Sequence, residues 1–331
     1  MIGAFMLYSV AVAALLGFAA LAVEAALHVH KLPGRWVWTT AAAGVLLIPE
    51  LTVIAPNVGL WPVEVVGVSA HESAGLGGWW ARLAGFDGTL ALAWLIGSAI
   101  VLAWFIASSV RLAGARREWR GANMADEGVL VSRDMGPAVV GLVGGSIVVP
   151  EWALRAERNM QELMLAHEKE HIRAGDPLLV AVAGLVLVLM PWNLPVWWIA
   201  SRFRLAIEVD CDARVLRGSR TDVATYGGLL LEVGRRVSGL RGALAFSSQR
   251  SFLEQRILAM TSGVASASRG ARSTGFAAAA ALSLALLWVG PHPVFEELCH
   301  ADTVSDEPVR GTKLFVTPHQ PRVIRVLDGG D

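Results

Sequence analysis

Three apolar runs in the first third of the chain limit the folds open to it. Ile2 to Val23 is long enough to cross a bilayer, which takes about 20 apolar residues. It has almost no basic start and no small-residue cleavage site, so it reads as a retained first span and not a signal peptide. Trp36 to Ile54 gives a second span, with Trp36 and Trp38 at its near interface and Pro49-Glu50 breaking its far half. Thr89 to Val110 gives a third. Only 17% of the 331 residues are charged, against about 25% in soluble proteins, which makes the class a membrane protein. The net charge is zero, so no basic field points to direct contact with nucleic acid.

Basic residues orient these spans. Lys31 and Arg35 bias the first loop to the cytoplasm and place the N-terminus outside, and Arg111, Arg116, Arg117 and Arg120 fix the end of the third span inside. Residues 55 to 87, with Trp61, Trp79 and Trp80, read as an outer loop along the bilayer surface, and Glu50 reads as interfacial. Residues 1–111 are thus expected to form three transmembrane helices.

The chemistry is concentrated in His167-Glu168-Lys169-Glu170-His171. Two histidines four apart on a helix lie on one face, about 5.4 Å apart along the axis, so both imidazoles can close on one ion. Glu168, roughly 100° round the helix, can reach water at the metal without ligating it, as the base of a hydrolase must. Met160, Leu163, Met164 and Ala166 supply an apolar side, and Asp176-Pro177 stops the helix. Cys211 and Cys299 are too few and too far apart for a disulfide framework or a thiolate zinc site, so histidine and carboxylate are expected to hold the metal.

A third ligand is sought downstream. Leu178 to Ala200 has the length of a span, but Met190-Pro-Trp-Asn-Leu-Pro195 breaks it, which predicts a re-entrant hairpin over 178–200 and keeps the next segment on the side of His167. In the helical segment Ile207 to Arg214, Glu208 and Asp212 share a face at i, i+4. Glu208 is the expected third ligand, and Asp212 the carboxylate that accepts the outward N–H of a ligating histidine. Tyr226 is the candidate oxyanion donor, on an amphipathic helix over Asp222 to Val237; a further helix over Gln249 to Met260 is expected to roof the site. Val129 to Val131 and Ile147 to Val149 predict short strands, and Gly141 to Val149 is the candidate edge strand for an extended substrate. Residues 262–273 read as a linker, 276–289 as a thin last span, and the proline-containing tail as extended.

His167-Glu168-x-x-His171-Ile-Arg-x-Gly-Asp176-Pro177, then Pro191-Trp-Asn-Leu-Pro195, then Glu208-x-x-Cys211-Asp212 resemble the membrane metallopeptidases of the BlaR/MecR sensor-transducer (antirepressor) type. The resemblance implies an α-helical integral membrane protein with a gluzincin-like α+β zinc metallopeptidase domain inserted between the third and last transmembrane helices. The domain would occupy 112–273, the last span 274–290 and a short extracytoplasmic tail 291–331. It implies Zn2+ on His167, His171 and Glu208, Glu168 as catalytic base, and hydrolysis of a cytoplasmic regulatory protein of the repressor kind. The expected location is a bacterial-type inner membrane, multi-pass, with the active site toward the cytoplasm; partners are the lipid bilayer, the protein substrate and, for some arrangements, a second copy. Lys169 and Ala174 depart from the usual pattern without removing a ligand, and the tail has no Ser-x-x-Lys motif, so the penicillin-binding sensor domain is not expected. The rival reading is a non-catalytic membrane receptor or scaffold that retains a structural metal site.

Overall fold

A computed structural model describes residues 2–29, 33–54, 85–133, 135–219, 221–238 and 243–261. The expected last span, the tail and most of the outer loop lie outside them. Helix α1 covers Ile2–Val29, α2 Arg35–Ile54 and α3 Asp87–Arg116. Strands β1 (Arg120–Met124), β2 (Glu127–Ser132), β3 (Ala138–Val140) and β4 (Ser146–Pro150) come next, then a 3-10 turn and α4 (Arg158–Ala174). The chain continues through α5 (Asp176–Leu189), α6 (Leu194–Gly218), α7 (Val223–Ser238) and α8 (Ala243–Thr261). The fold is mostly helical.

Among the described residues two helices are long and apolar enough to cross a membrane, α1 over Ile2–Leu27 and α3. No described residue of α3 is buried, and it shows Leu92, Leu95, Ile100 and Trp104 outward, a surface suited to lipid and costly in water. Its attachment is local: the Trp94 Nε1–H donates to the Leu189 carbonyl at 2.7 Å, and Phe105 packs on Gly184.

An apolar core joins α1, α2, α5 and α6 through Ala13, Trp38, Val45, Val186, Ile199 and Phe203. At Gly17 the helices approach so closely that a Cβ there would collide with the Trp198 ring. The chain breaks between α5 and α6 at Met190 to Asn193, where Pro191 and Pro195 cannot continue a helix and Pro195 suits the first turn of the next. The second arm is longer than the sequence suggested. Helix α6 runs unbroken for 25 residues and carries Glu208 from the apolar core to the polar half of the molecule.

The sheet has the order β1-β2-β4-β3. A two-residue turn with positive φ at Ala125 and Asp126 joins β1 to β2, β4 pairs parallel to β2, and β3 returns antiparallel along β4. Strand β4 therefore lies between β2 and β3 in the sheet, with Val148 paired on both sides. The expectation that Gly141 to Val149 offers a substrate edge is corrected: residues 141–145 form the turn, and the edge on that side is β3. A second core, with Met124, Val149, Leu163, Met164, Cys211 and Tyr226, fixes α4 between the sheet, α6 and α7.

Candidate metal centre

Helix α4 buries Leu163, Met164 and Leu165 in the core and turns His167 and His171 toward Glu208 on α6. The helix ends at Gly175, whose left-handed φ of +69° suits a residue without a Cβ, and the next helix leaves at a bend of 61°. This reversal returns Asp176 beneath His171, where its Oδ2 lies 2.8 Å from Nδ1. On α6, Glu208, Cys211 and Asp212 occupy i, i+3 and i+4 and meet the same face of α4.

The outward nitrogen of each histidine has an acceptor. His171 Nδ1–H donates to Asp176, and His167 Nδ1–H donates to the Tyr226 hydroxyl at 2.9 Å, which in turn donates to Asp212 Oδ1 at 2.8 Å. These bonds select the tautomer that leaves both Nε2 lone pairs inward. The two Nε2 atoms are 3.2 Å apart, and Glu208 brings one oxygen to 3.6 Å from the first and the other to 3.8 Å from the second. A tetrahedral ion with bonds of about 2.05 Å separates its ligand atoms by about 3.3 Å, so this donor set fits a divalent metal. Two facing lone pairs without an ion or proton between them would only repel.

Without an ion, the groups around the two histidines favour a proton on each, which a metal would have to displace. Burial opposes a charge on His167, but Cys211 and Glu208 outweigh it and hold its pKa well above the ordinary value. Burial likewise opposes a charge on His171, and the bond to Asp176 outweighs it, lifting the pKa to about 10. Burial would raise the Glu208 carboxyl, but His167 and Arg256 pull it well below the usual range. Glu168 is only 6% exposed, and burial pushes its pKa up despite both histidines, which makes it a stronger base.

Several site residues differ from expectation. Asp212 does not bond a histidine directly, since Oδ1 is 3.6 Å from His167 Nδ1; it acts through Tyr226 and is clamped by Arg256, Nε to Oδ2 at 2.8 Å and NH2 to Oδ1 at 2.7 Å. Tyr226 is fully buried behind His167, with its hydroxyl committed on the Nδ1 side, so it does not face the place where an oxyanion would form. Cys211, expected to stay out of the chemistry, belongs to a His167, His171 and Cys211 cluster with ligand atoms within 4.8 Å of one another, and its Sγ lies 3.4 Å from His167 Nδ1. The sequence pattern shows Asp176 only as a helix stop and gives no sign of Arg256, whose NH1 lies 3.0 Å from Glu208. Asp176 had a local signal, a carboxylate placed by an αL glycine just past the second histidine. Arg256 had none, because its partners lie 44 and 48 residues upstream, a closeness only the fold creates.

Paired imidazoles backed by acceptors, faced by one carboxylate and flanked by a buried second, are the equipment of a metallopeptidase. The chain belongs to that class by descent: the family model for BlaR1 peptidase M56 matches residues 86–260, which contain the whole site, and the chain is a member of this family. It is also similar to the regulatory protein BlaR1 of Bacillus licheniformis, 25% identical over 126 residues, which are 37% of this chain and 21% of that protein. The chain thus spans about a fifth of the length of that relative.

Proposed function

We propose that this protein is a membrane-bound zinc endopeptidase that cuts a cytoplasmic regulatory protein, of the repressor kind, in signal transduction. The observation that carries the reading is the pair of inward Nε2 atoms 3.2 Å apart, with Glu208 across from them and Glu168 buried beside them. His167, His171 and Glu208 would hold the ion. Zn2+ in such a site supplies Lewis acidity, which polarises a peptide carbonyl and acidifies water. Glu168 takes the proton of the attacking water and returns it to the leaving amine, a role suited to a carboxylate whose pKa burial has raised. Arg256 offsets the charge of Glu208 and Asp212 and keeps both in place.

The domain over 112–273 would lie between the third span and a last one at 274–290, with α5 and the start of α6 entering the bilayer as a re-entrant pair. Arg111, Arg116 and Arg117 at the end of α3 support a cytoplasmic site. The partners in this reading are the bilayer and the protein substrate, without direct contact to nucleic acid, and a homodimer is one arrangement open to it. One observation favours a second reading, a non-catalytic receptor with a structural metal: adding Cys211 to the three ligands would give four protein donors and a closed site. Metal analysis and cobalt spectra of the purified full chain decide between them. The peptidase reading expects one equivalent of zinc, lost in His171→Ala and Glu208→Ala and kept in Glu168→Gln, and cobalt-loaded protein without a thiolate charge-transfer band. A strong thiolate band that vanishes in Cys211→Ser would favour the closed, structural site.

A further inference from the structure

The site is not built by the peptidase segment alone. Asp176, the carboxylate that holds His171, is 2% exposed, and its other oxygen, Oδ1, accepts from Arg35 NH1 at 2.9 Å. Arg35 is the first residue of α2, which lies outside the region matched by the family model. The start of α2 is itself clamped to α6. The backbone N–H groups of Gly34 and Arg35 donate to Asp210 Oδ1 and Oδ2 at 3.0 and 2.9 Å, and Asp210 stands two residues from Glu208. The Arg35 guanidinium is nearly buried, and its Nε has no hydrogen-bond partner, so the side chain is held where NH1 meets Asp176 and not where all its donors are satisfied. Arg214 also reaches Asp176, at 3.2 Å, but on the oxygen that faces His171, so only Arg35 holds the far oxygen among the described contacts.

We propose that Arg35 is a positioning residue of the metal centre, which orients His171 through Asp176 and so makes the α1–α2 pair part of the site. This rests on the reading of His171 as a metal ligand. If α2 withdraws, Asp176 keeps only Arg214 and His171, its carboxylate swings toward Arg214, and the His171 ring turns with it. A second link runs the same way: Glu24 on α1 binds Arg202 NH2 at 2.6 Å, Arg202 NH1 binds Gln255 at 3.1 Å, and the next residue on α8 is Arg256, which grips Glu208 and Asp212.

The test is a double-mutant cycle on Co2+ affinity, read by the visible spectrum of the full chain in detergent or nanodiscs. Carboxylates that support a ligating histidine change metal affinity about 10–100-fold, and a residue one step further out should sit at the low end. Arg35→Gln should weaken Co2+ binding about 5- to 10-fold and shift its d–d bands. Asp176→Asn should weaken it more, and the double variant should be no weaker than Asp176→Asn alone by more than about twofold, because the pair acts in series. Arg35→Lys, which keeps the charge but not the planar fork, should fall between wild type and Arg35→Gln; it carries the test if Arg35→Gln fails to fold. Unchanged Co2+ affinity and bands in Arg35→Gln or, failing that, Arg35→Lys, or effects that multiply in the double variant, would overturn the proposal and leave Arg35 a packing residue of α2. Wild-type protein that takes up no cobalt would overturn the metal reading instead.

Discussion

Tyr226→Phe isolates the relay behind His167. The ring stays, so the core loses one oxygen and opens no cavity of note, and the change falls on two hydrogen bonds of 2.9 and 2.8 Å. Asp212 Oδ1 retains Arg256 at 2.7 Å, so the acid is not orphaned. His167 Nδ1–H is. An unsatisfied buried donor costs about 1–3 kcal/mol, and Cys211 Sγ, 3.4 Å away, is a weak substitute acceptor that places the loss near the bottom of that range. About 1 kcal/mol of lost orientation corresponds to roughly fivefold weaker metal binding. Competition of the purified chain with a chromophoric chelator for Zn2+ reads this directly, and kcat should track occupancy and show no further loss once zinc saturates. A Kd within twofold of wild type would refute the relay. Normal affinity with kcat reduced a hundredfold would instead restore Tyr226 as the oxyanion donor, against its observed position.

The same geometry sets four further outcomes. Metal uptake should strengthen as pH rises from 7 toward 10, because His171, with its pKa raised from 6.5 to about 10, holds a proton that the metal must displace; proton release on zinc binding, read in buffers of different ionisation enthalpy, checks it. By the same shift the charged His171 stabilises metal-free protein fully below pH 6.5, and this is lost as pH rises through about 10, so its Tm should fall over that window unless zinc is present. Arg256→Met removes the partner of a carboxylate only 1% exposed and should destabilise the protein by about 3–5 kcal/mol, seen as a lower Tm, with Glu208 loosened and zinc affinity reduced. Gly17→Leu places a side chain where even a Cβ collides with Trp198, and the forced separation of α1 from α6 should cost about 1–3 kcal/mol in thermal unfolding while leaving zinc affinity nearly unchanged.

How much the sequence disclosed depends on the range of the interactions. His167, Glu168 and His171 were legible as neighbours because helical spacing alone puts them together. The Glu208 and Asp212 pair at i, i+4 fits a solvated acidic face equally well, and only the histidine pair upstream pointed Glu208 toward them, where the fold brings its oxygens to 3.6 and 3.8 Å. The helix break at Met190 to Asn193 was legible because proline acts on its own neighbours. The direct partners of the two histidines were not. Asp212 was one hydroxyl too far from His167, since the tyrosine between them comes from a helix whose packing no local pattern encodes. Gly141 to Val149 failed as a substrate edge for the same reason. Alternation marks a strand but not its place in the sheet, and here β3 and β2 take both sides of β4. Asp210, acidic and between two site residues, caps α2 instead of joining the metal, a role fixed by residues 175 and 176 positions away.

The central claim is that this chain cuts protein with Glu168 as the base of a metal centre on His167, His171 and Glu208. Its most direct test is the set of new N-termini in cells producing the wild-type chain compared with cells producing Glu168→Gln at equal level and equal zinc content. One or a few cytoplasmic cut sites should be present with the wild type and missing with the variant. The same cut sites appearing with the metal-loaded Glu168→Gln protein would contradict the claim.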